Sequence, residues 1–335
     1  MVIVSVVVPI LNEEVYIENF LASLEQQDYA KENMEVLLID GKSNDKTLEI
    51  IENYLPKTTF TIRVFENEKK IQATAMNIGI KESVGKYIIR LDVHAMYEKN
   101  YISECVKLLD SSDAQNVGFY IETKGRGKTG KKIAKVLSSR FGVGGSTFRV
   151  ESDVEKEVDT VPFGAFRKSV FAEIGGFNEY LACNEDNDIN YRIRKNGGKI
   201  LISNSSSSTY FCRDTIGKLF KMGIRNGKWN VYSLYYSAGS MSIKYFIPAV
   251  FTLGLITLPI LSLFSKFFLA LLALELILYF LAASYFSYKL KDNMTEFIQL
   301  LAIFFVFHFS YGLGSVLGIF GYIKRIIAKT PKFKD

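Results

Sequence analysis

Three stretches near the C-terminus constrain this chain more than any other feature. Approximately Ile243 to Phe264, Phe267 to Tyr288 and Phe297 to Tyr322 are almost free of charge. Each is long enough to cross a bilayer as a helix, which takes about 20 residues. Before Ile243 the sequence reads as a soluble protein, so the 335 residues divide into a catalytic-sized N-terminal part and a membrane appendage. Three full crossings from a cytoplasmic N-terminal part would leave Lys324, Arg325, Lys329, Lys332 and Lys334 outside. If the first run, interrupted by Pro248 and Pro259, only dips into the membrane, that tail returns inside and Lys289 and Lys291 move out. His308, beside Ser310 and Tyr311, reads as a helix-packing residue or as a contact for a partner helix or acceptor headgroup.

The formal net charge of +6 gathers near the apolar region rather than in a stripe suited to nucleic acid, which makes membrane lipid the expected anionic partner. Cys105, Cys183 and Cys212 lack paired spacing and point to a reducing compartment without structural disulfides. Met1-Val2-Ile3-Val4 reads as the start of a strand, with no signal peptide.

In the soluble part, Val2 to Val8 is a β-branched run ended by Pro9, as expected of a strand buried on both faces. Asn12-Glu13-Glu14 supplies helix-start chemistry, and Ile17, Phe20, Leu21 and Leu24 recur with helical period. A second strand, Glu35 to Ile39, leads into Asp40-Gly41-Lys42-Ser43-Asn44-Asp45, whose polar side chains can cap a helix with Leu48, Ile51 and Leu55 on its apolar face. A third strand near Phe60 to Phe65, a helix over Gln72 to Glu82 and a fourth strand from Lys86 to Leu91 complete a β-α-β-α-β-α-β alternation. This predicts an open, doubly wound α/β sheet that binds its ligand at the carboxyl ends of its strands.

Candidate chemistry falls at those ends. Asp40 follows the second strand, where it could hydrogen-bond a nucleoside or form the turn before Gly41. No G-x-G-x-x-G follows the first strand, so a dinucleotide is not indicated. Asp92 and His94 follow the fourth strand. With strand-like backbone, i and i+2 share a face and could close on one ion; otherwise Asp92 caps a turn and His94 is an ordinary loop histidine.

Lys124 to Lys132 contains Gly-Lys-Thr, but Glu122 stands where a P-loop needs glycine, and the stretch reads as a solvated basic loop. Pro162 to Arg167 and Gly175-Gly176-Phe177 read as loops passing close to a ligand. Asn184-Glu185-Asp186 opens a helix running to Lys195, where Asp186 could serve as a base or as a cap. From Asp214, as cap, a helix would carry Lys218, Lys221, Arg225 and Lys228 on one face and Ile216, Phe220 and Ile224 on the other, as in a helix lying in the membrane interface.

Taken in order, these motifs resemble a family 2 glycosyltransferase of the GT-A fold: Val4 to Pro9 with Asn12-Glu13-Glu14, Ile39 to Thr47, Asn77-Ile78-Gly79, Asp92-Val93-His94 and Glu185-Asp186. Within that family the chain is similar to membrane-bound transferases of the succinoglycan glucosyltransferase type. The similarity rests on Asp-x-His at Asp92 and His94, Val158-Asp159-Thr160-Val161 before Gly164-Ala165-Phe166-Arg167, and Asn184-Glu185-Asp186 before Asn190-Tyr191-Arg192.

The resemblance implies an inverting transfer of one sugar from a nucleotide sugar, a UDP-sugar such as UDP-glucose, to a polyprenyl-diphosphate-linked saccharide in polysaccharide or glycan biosynthesis. It implies that Pro9, Asn12, Glu13, Asp40, Asn77, Asp92 and Gly164 bind the nucleotide sugar. Asp92 and His94 would hold Mn²⁺ or Mg²⁺, Asp186 would be the general base, and Glu185 would orient it or bind an acceptor hydroxyl. Donor choice would involve Asp159, Phe163 and Gly164.

Where processive synthases carry Gln-x-x-Arg-Trp, this chain has Arg225-Asn226-Gly227-Lys228-Trp229, which favours a single-sugar transferase. The expected organisation is a GT-A domain over 1–208, an interface helix region over 209–242, about three membrane helices over 243–323 and a basic tail over 324–335. The protein is expected in the cell membrane, multi-pass, with its catalytic domain on the cytoplasmic side. A polyprenyl-phosphate sugar synthase and a non-catalytic nucleotide-sugar-binding membrane scaffold are the alternatives.

Overall fold

The structure, a computed structural model, describes residues 2–144, 147–149 and 155–331. Lys332 and Lys334 of the expected basic tail lie outside the described residues. In chain order the elements are β1 (Val4–Ile10), α1 (Ile17–Glu25), β2 (Met34–Asp40), α2 (Thr47–Tyr54), β3 (Thr61–Glu66), α3 (Gln72–Glu82), β4 (Tyr87–Arg90), β5 (Ala95–Tyr97), α4 (Tyr101–Ser111) and β6 (Asn116–Lys124). There follow α5 (Gly127–Leu137), α6 (Arg140–Val143), β7 (Lys156–Glu157), β8 (Ala165–Arg167), α7 (Val170–Ile174), α8 (Glu185–Lys195), β9 (Ile200–Phe211), α9 (Ile216–Tyr236), α10 (Ile247–Leu261), α11 (Lys266–Leu290) and α12 (Met294–Ile327). Two compact units result: residues 2–122 with 155–210, and residues 123–149 with 211–331.

The first unit is built on a mixed sheet of order β3-β2-β1-β4-β8-β6-β9-β5, with β7 paired to β9. Its first half is the expected parallel alternation, because Val4–Val8, Val36–Ile39 and Tyr87–Ile89 are buried on both faces and α1 covers them with Ile17, Phe20, Leu21 and Leu24. The second half departs from the doubly wound expectation. β8 pairs antiparallel with both β4 and β6, and β5 pairs antiparallel with β9. Of the segment expected as a ligand-facing loop, Pro162 to Arg167, the second half, Ala165–Arg167, is therefore an inner strand.

Pro9 does not end the first strand, which continues in register with Ile39 and Asp40. The β4 partner stops at Val7, so on that side the missing N–H of Pro9 costs no ladder bond. α1 starts at Ile17, later than expected and without a side-chain cap. Asn12, Glu13 and Glu14 instead clasp the loop after β2. On α2, Ile51 is buried with Thr47, whereas Leu48 and Leu55 are exposed, because the helix is short and Leu55 already belongs to the following tight turn.

In the second unit the expected basic loop is the start of α5. Gly130, Ile133, Ala134, Val136 and Leu137 form its buried side and the lysines its outer side, so an amphipathic period underlies a composition that looks unstructured. α9 is capped by Thr215, whose Oγ1 accepts from the Lys218 N–H at 3.3 Å, while Asp214 pairs with Lys218 Nζ at 2.8 Å. Its buried line is Leu219, Gly223, Gly227 and Val231, not Ile216, Phe220 and Ile224. The glycines explain the change: Gly223 and Gly227 lie against Ser310, Tyr311 and Ser315 of α12, and Gly314 lies against Ile224. Close backbone approach, not side-chain hydropathy, selects that face. Among the described residues three helical spans are long and apolar enough to cross a membrane: Ile243–Leu261, Lys266–Leu290 and Met294–Ile327.

Candidate active site

The chain turns sharply after β1 at Asn12 and after β2 at Lys42, both in left-handed backbone conformation, as are Phe163 before β8 and Asn184 before α8. The loops after β1 and β2 are bonded reciprocally. Asn12 N donates to Ser43 Oγ at 2.8 Å, Asn44 N to Asn12 Oδ1 at 2.9 Å, Glu13 N to Thr47 Oγ1 at 2.6 Å and Lys46 N to Glu14 Oε2 at 3.1 Å. Asp40, buried, accepts from Ser43 N and from Ser43 Oγ at 2.6 Å, so it closes this loop from within.

Asp92 and His94 lie in a turn rather than in extended backbone. Ala95 N donates to the Asp92 carbonyl at 3.1 Å, and Asp92 Oδ1 accepts from His94 N at 2.8 Å. The alternation expected of a strand is lost because β4 ends at Arg90. The exposed His94 ring lies 3.1 Å from Glu13 Oε1 through Nε2 and packs edge-on against Tyr16. Asp92 N donates to Tyr97 Oη at 2.7 Å. Glu13 Oε2 is a buried oxygen without a hydrogen-bond partner.

Among the described residues no three His, Cys, Asp or Glu side chains converge to hold a metal on their own. Asp92 and His94, on one turn, offer one carboxylate and one imidazole, a donor pair whose chemistry suits a divalent ion completed by oxygens of a bound phosphate.

A charge cluster around the buried Arg90 joins β4 to α8. Arg90, only 4% exposed, donates through Nη1 to Asp186 Oδ1 and through Nη2 to Glu185 Oε1 at 3.1 Å. Burial pushes the Asp186 carboxyl up to about 6 against the opposing pull of Arg90, with Glu185 and Asp92 adding to the rise. Burial alone would lower the Arg90 guanidinium, but Asp186, Glu185 and Asp92 outweigh it and hold it charged. Arg90 had no assigned role from sequence. Its signal was a cation inside the apolar run Tyr87 to Leu91, two residues before Asp92.

The other expected residues are spread around this centre. Gly164 accepts from Arg90 N at 3.0 Å through its carbonyl and leaves no room for a side chain beside Asn116. Pro9 lies in β1. Asn77 is occupied by the loop after α7: it accepts from Phe177 N at 2.6 Å and donates to the Phe177 carbonyl and to Glu179, both at 2.9 Å. Phe163 is buried under Tyr97, and Asp159 faces Arg194 at 3.6 Å.

A mixed sheet whose parallel half ends in clasped loops, with a carboxylate pair at the start of α8 held by the buried Arg90, is the arrangement of a GT-A glycosyltransferase. The chain belongs to glycosyl transferase family 2, whose model matches residues 5–175. It is 27% identical over 338 residues, 99% of each chain, to the dolichyl N-acetyl-alpha-D-glucosaminyl phosphate 3-beta-D-2,3-diacetamido-2,3-dideoxy-beta-D-glucuronosyltransferase of Methanococcus voltae. It is 30% identical over 220 residues to the succinoglycan biosynthesis protein ExoA of Rhizobium meliloti (strain 1021), covering 64% of this chain and 65% of that one. Among solved structures, the mannosyltransferase PcManGT from Pyrobaculum calidifontis, in complex with GDP-Man and Mn²⁺, superposes with a TM-score of 0.56 at 15% identity, over 98% of this chain and 88% of that one.

Proposed function

We propose that this protein transfers a single sugar, with inversion, from a UDP-sugar such as UDP-glucose to a saccharide carried on a polyprenyl diphosphate at the cytoplasmic face of the membrane. The observation that carries this reading is the Arg90–Asp186 pair: a buried guanidinium fixes a half-buried carboxylate of raised pKa at the carboxyl edge of the sheet, where an acceptor hydroxyl would give up its proton. The full-length relationship to a transferase named for a dolichyl-phosphate-linked sugar acceptor, together with three membrane-length helices, supports a lipid-linked acceptor.

In this reading Asp186 is the general base. Arg90 holds its Oδ1 and orients Oδ2 towards the acceptor, and Glu185 shares the guanidinium. Pro9, Asn12, Glu13, Asp40, Asn77, Asp92 and Gly164 surround the nucleotide sugar. The clasp between the β1 and β2 loops sets the nucleoside pocket, and Asn77 acts by pinning the 177–179 loop. Asp92 and His94 would hold a divalent cation, Mn²⁺ or Mg²⁺, which when bound neutralises charge on the departing diphosphate.

Thermal unfolding of the detergent-solubilised protein against a panel of sugar nucleotides with Mn²⁺ tests the donor site. A UDP-sugar is expected to raise the midpoint, and Asp92→Asn to abolish the rise. Absence of a shift with every nucleotide sugar would refute the reading.

A further inference from the structure

We propose that only α10 and α11 cross the bilayer, as a hairpin, and that α12 lies with α9 in the interface on the catalytic side, so that both ends of α12 and the basic tail remain there. The proposal rests on the reading that the chain is membrane-embedded, and it settles which of the three apolar helices contact lipid on all sides.

The two ends of α12 are tied to segments that hold no apolar helix long enough to cross. At its start, Glu296 accepts from Lys135 of α5 at 3.0 Å, and Asp292, just before it, pairs with the same ammonium at 2.9 Å. The segment 123–149 leaves β6 and returns towards β7 with no membrane-length helix among its described residues, so Lys135 stays on the side of the catalytic unit. Leu290, four residues before Met294, therefore ends α11 on that side too.

The second half of α12 runs beside α9. Gly223 meets Ser310, Gly227 meets Tyr311 and Ser315, Val231 meets Gly318, and Tyr236 Oη accepts from Arg325 at 3.1 Å. The numbers rise together, so the helices are parallel and share one depth. Lys221 and Arg225, both exposed, and Lys228 would all enter the hydrocarbon if this half of α12 did, an expensive placement for three cations on one helix.

Lateral exposure agrees. The most apolar windows of α10 and α11 are each 6% buried, against 50% for α12. α12 touches the hairpin at Pro248 and Thr252, near the start of α10, and at Tyr279, midway along α11. Beyond those points Leu263, Phe264, Phe267, Leu274, Ile277 and Leu278 stand 51–82% exposed, an apolar sleeve suited to lipid. The hairpin's one carboxylate, Glu275, sits against Gly254, inside the hairpin rather than facing lipid.

The 15 residues of α10 with the four-residue 3₁₀ turn before it reach about 30 Å and the 25 of α11 about 37 Å, enough for a core of about 30 Å. Lys244, Lys289, Lys291, Lys324, Arg325 and Lys329 then share the catalytic side, with Lys266 alone at the far turn. This satisfies the positive-inside bias that neither orientation drawn from sequence could meet.

Single cysteines at Ser265→Cys, Thr295→Cys and Ala328→Cys in the full chain, expressed in intact cells, distinguish the arrangements by a membrane-impermeant maleimide added before or after permeabilisation. The parent chain gives the background of Cys105, Cys183 and Cys212. Labelling of position 265 from outside, and of 295 and 328 only after permeabilisation, is expected. Outside labelling at 328 would establish a third crossing and overturn the proposal, as would protection of 265 until permeabilisation, which would mean a hairpin that does not cross. Release of the protein from membranes by alkaline carbonate would refute the membrane reading itself, separately from the number of crossings.

Discussion

Arg90 on β4 and Asp186 on α8, 96 residues apart in sequence, form an ion pair between a buried guanidinium and a half-buried carboxylate, which ties the central strand to the helix carrying the proposed base. Glu185 accepts from the same guanidinium, so one cation serves two adjacent carboxylates. Arg90→Met would leave the buried Glu185 and the half-buried Asp186 without their partner, a loss of up to about 3 kcal/mol in stability. We expect a lower unfolding temperature and a kcat reduced about 100-fold or more, with donor KM within about threefold of the parent. Arg90→Lys, which can serve only one carboxylate well, should fall between. Steady-state kinetics beside thermal unfolding check this; wild-type kcat in a folded Arg90→Met protein would remove Arg90 from the mechanism.

The raised pKa of Asp186 sets the acid side of the pH profile. A base must be deprotonated, so kcat should fall as pH drops through about 6. Because the folded-state value lies above the ordinary carboxylate value, ionising Asp186 lowers stability as pH rises from about 4 to about 6. Asp186→Asn should lose the stability change in that window together with nearly all transfer. A kcat profile flat down to pH 4.5 would contradict the assignment.

His94 bears on metal preference. One carboxylate and one imidazole carry less negative charge than two carboxylates, so affinity should depend on the imidazole more than on overall charge. His94→Ala is expected to reduce transfer strongly at low Mn²⁺ and to recover in part at high Mn²⁺. Titration of Mn²⁺ by electron paramagnetic resonance, which needs no turnover, should show weaker binding; identical binding in the variant would exclude His94 as a ligand.

Gly227 tests the α9–α12 contact. Its backbone approaches the Tyr311 carbonyl so closely that a side chain must displace α12. Gly227→Ala should destabilise the helix pair by about 1–3 kcal/mol, read as a lower unfolding temperature in detergent, while Gly217→Ala, which meets open space, should cost less than half of that.

How far the sequence could be read follows from the physics of each element. Val4–Val8, Val36–Ile39 and Tyr87–Ile89 are strands buried on both faces, and continuous β-branched or apolar runs announce such strands directly. β5 and β8 span three residues each and join the sheet through distant partners, so no local period marks them. The helix bearing Asp186 was legible from Asn184 and the stop at Asn196, but its partner Arg90 was not, because an ion pair across 96 residues leaves no spacing to read. α9 misled for another reason: hydropathy points to Ile216, Phe220 and Ile224, whereas the packed line runs through Gly223 and Gly227, whose contribution is the absence of a side chain.

The central claim is that Asp186 deprotonates a lipid-linked acceptor attacked by a nucleotide sugar. Its most direct measurement is transfer of radiolabelled sugar from UDP-sugars to extracted polyprenyl-linked saccharides in washed membranes, with wild-type and Asp186→Asn protein compared at equal folded amounts. The account predicts lipid-extractable label with at least one UDP-sugar in the wild type, and a loss of about 100-fold or more in the variant despite retained donor binding. Equal labelling by both proteins, or none by folded wild type with any UDP-sugar, would contradict it.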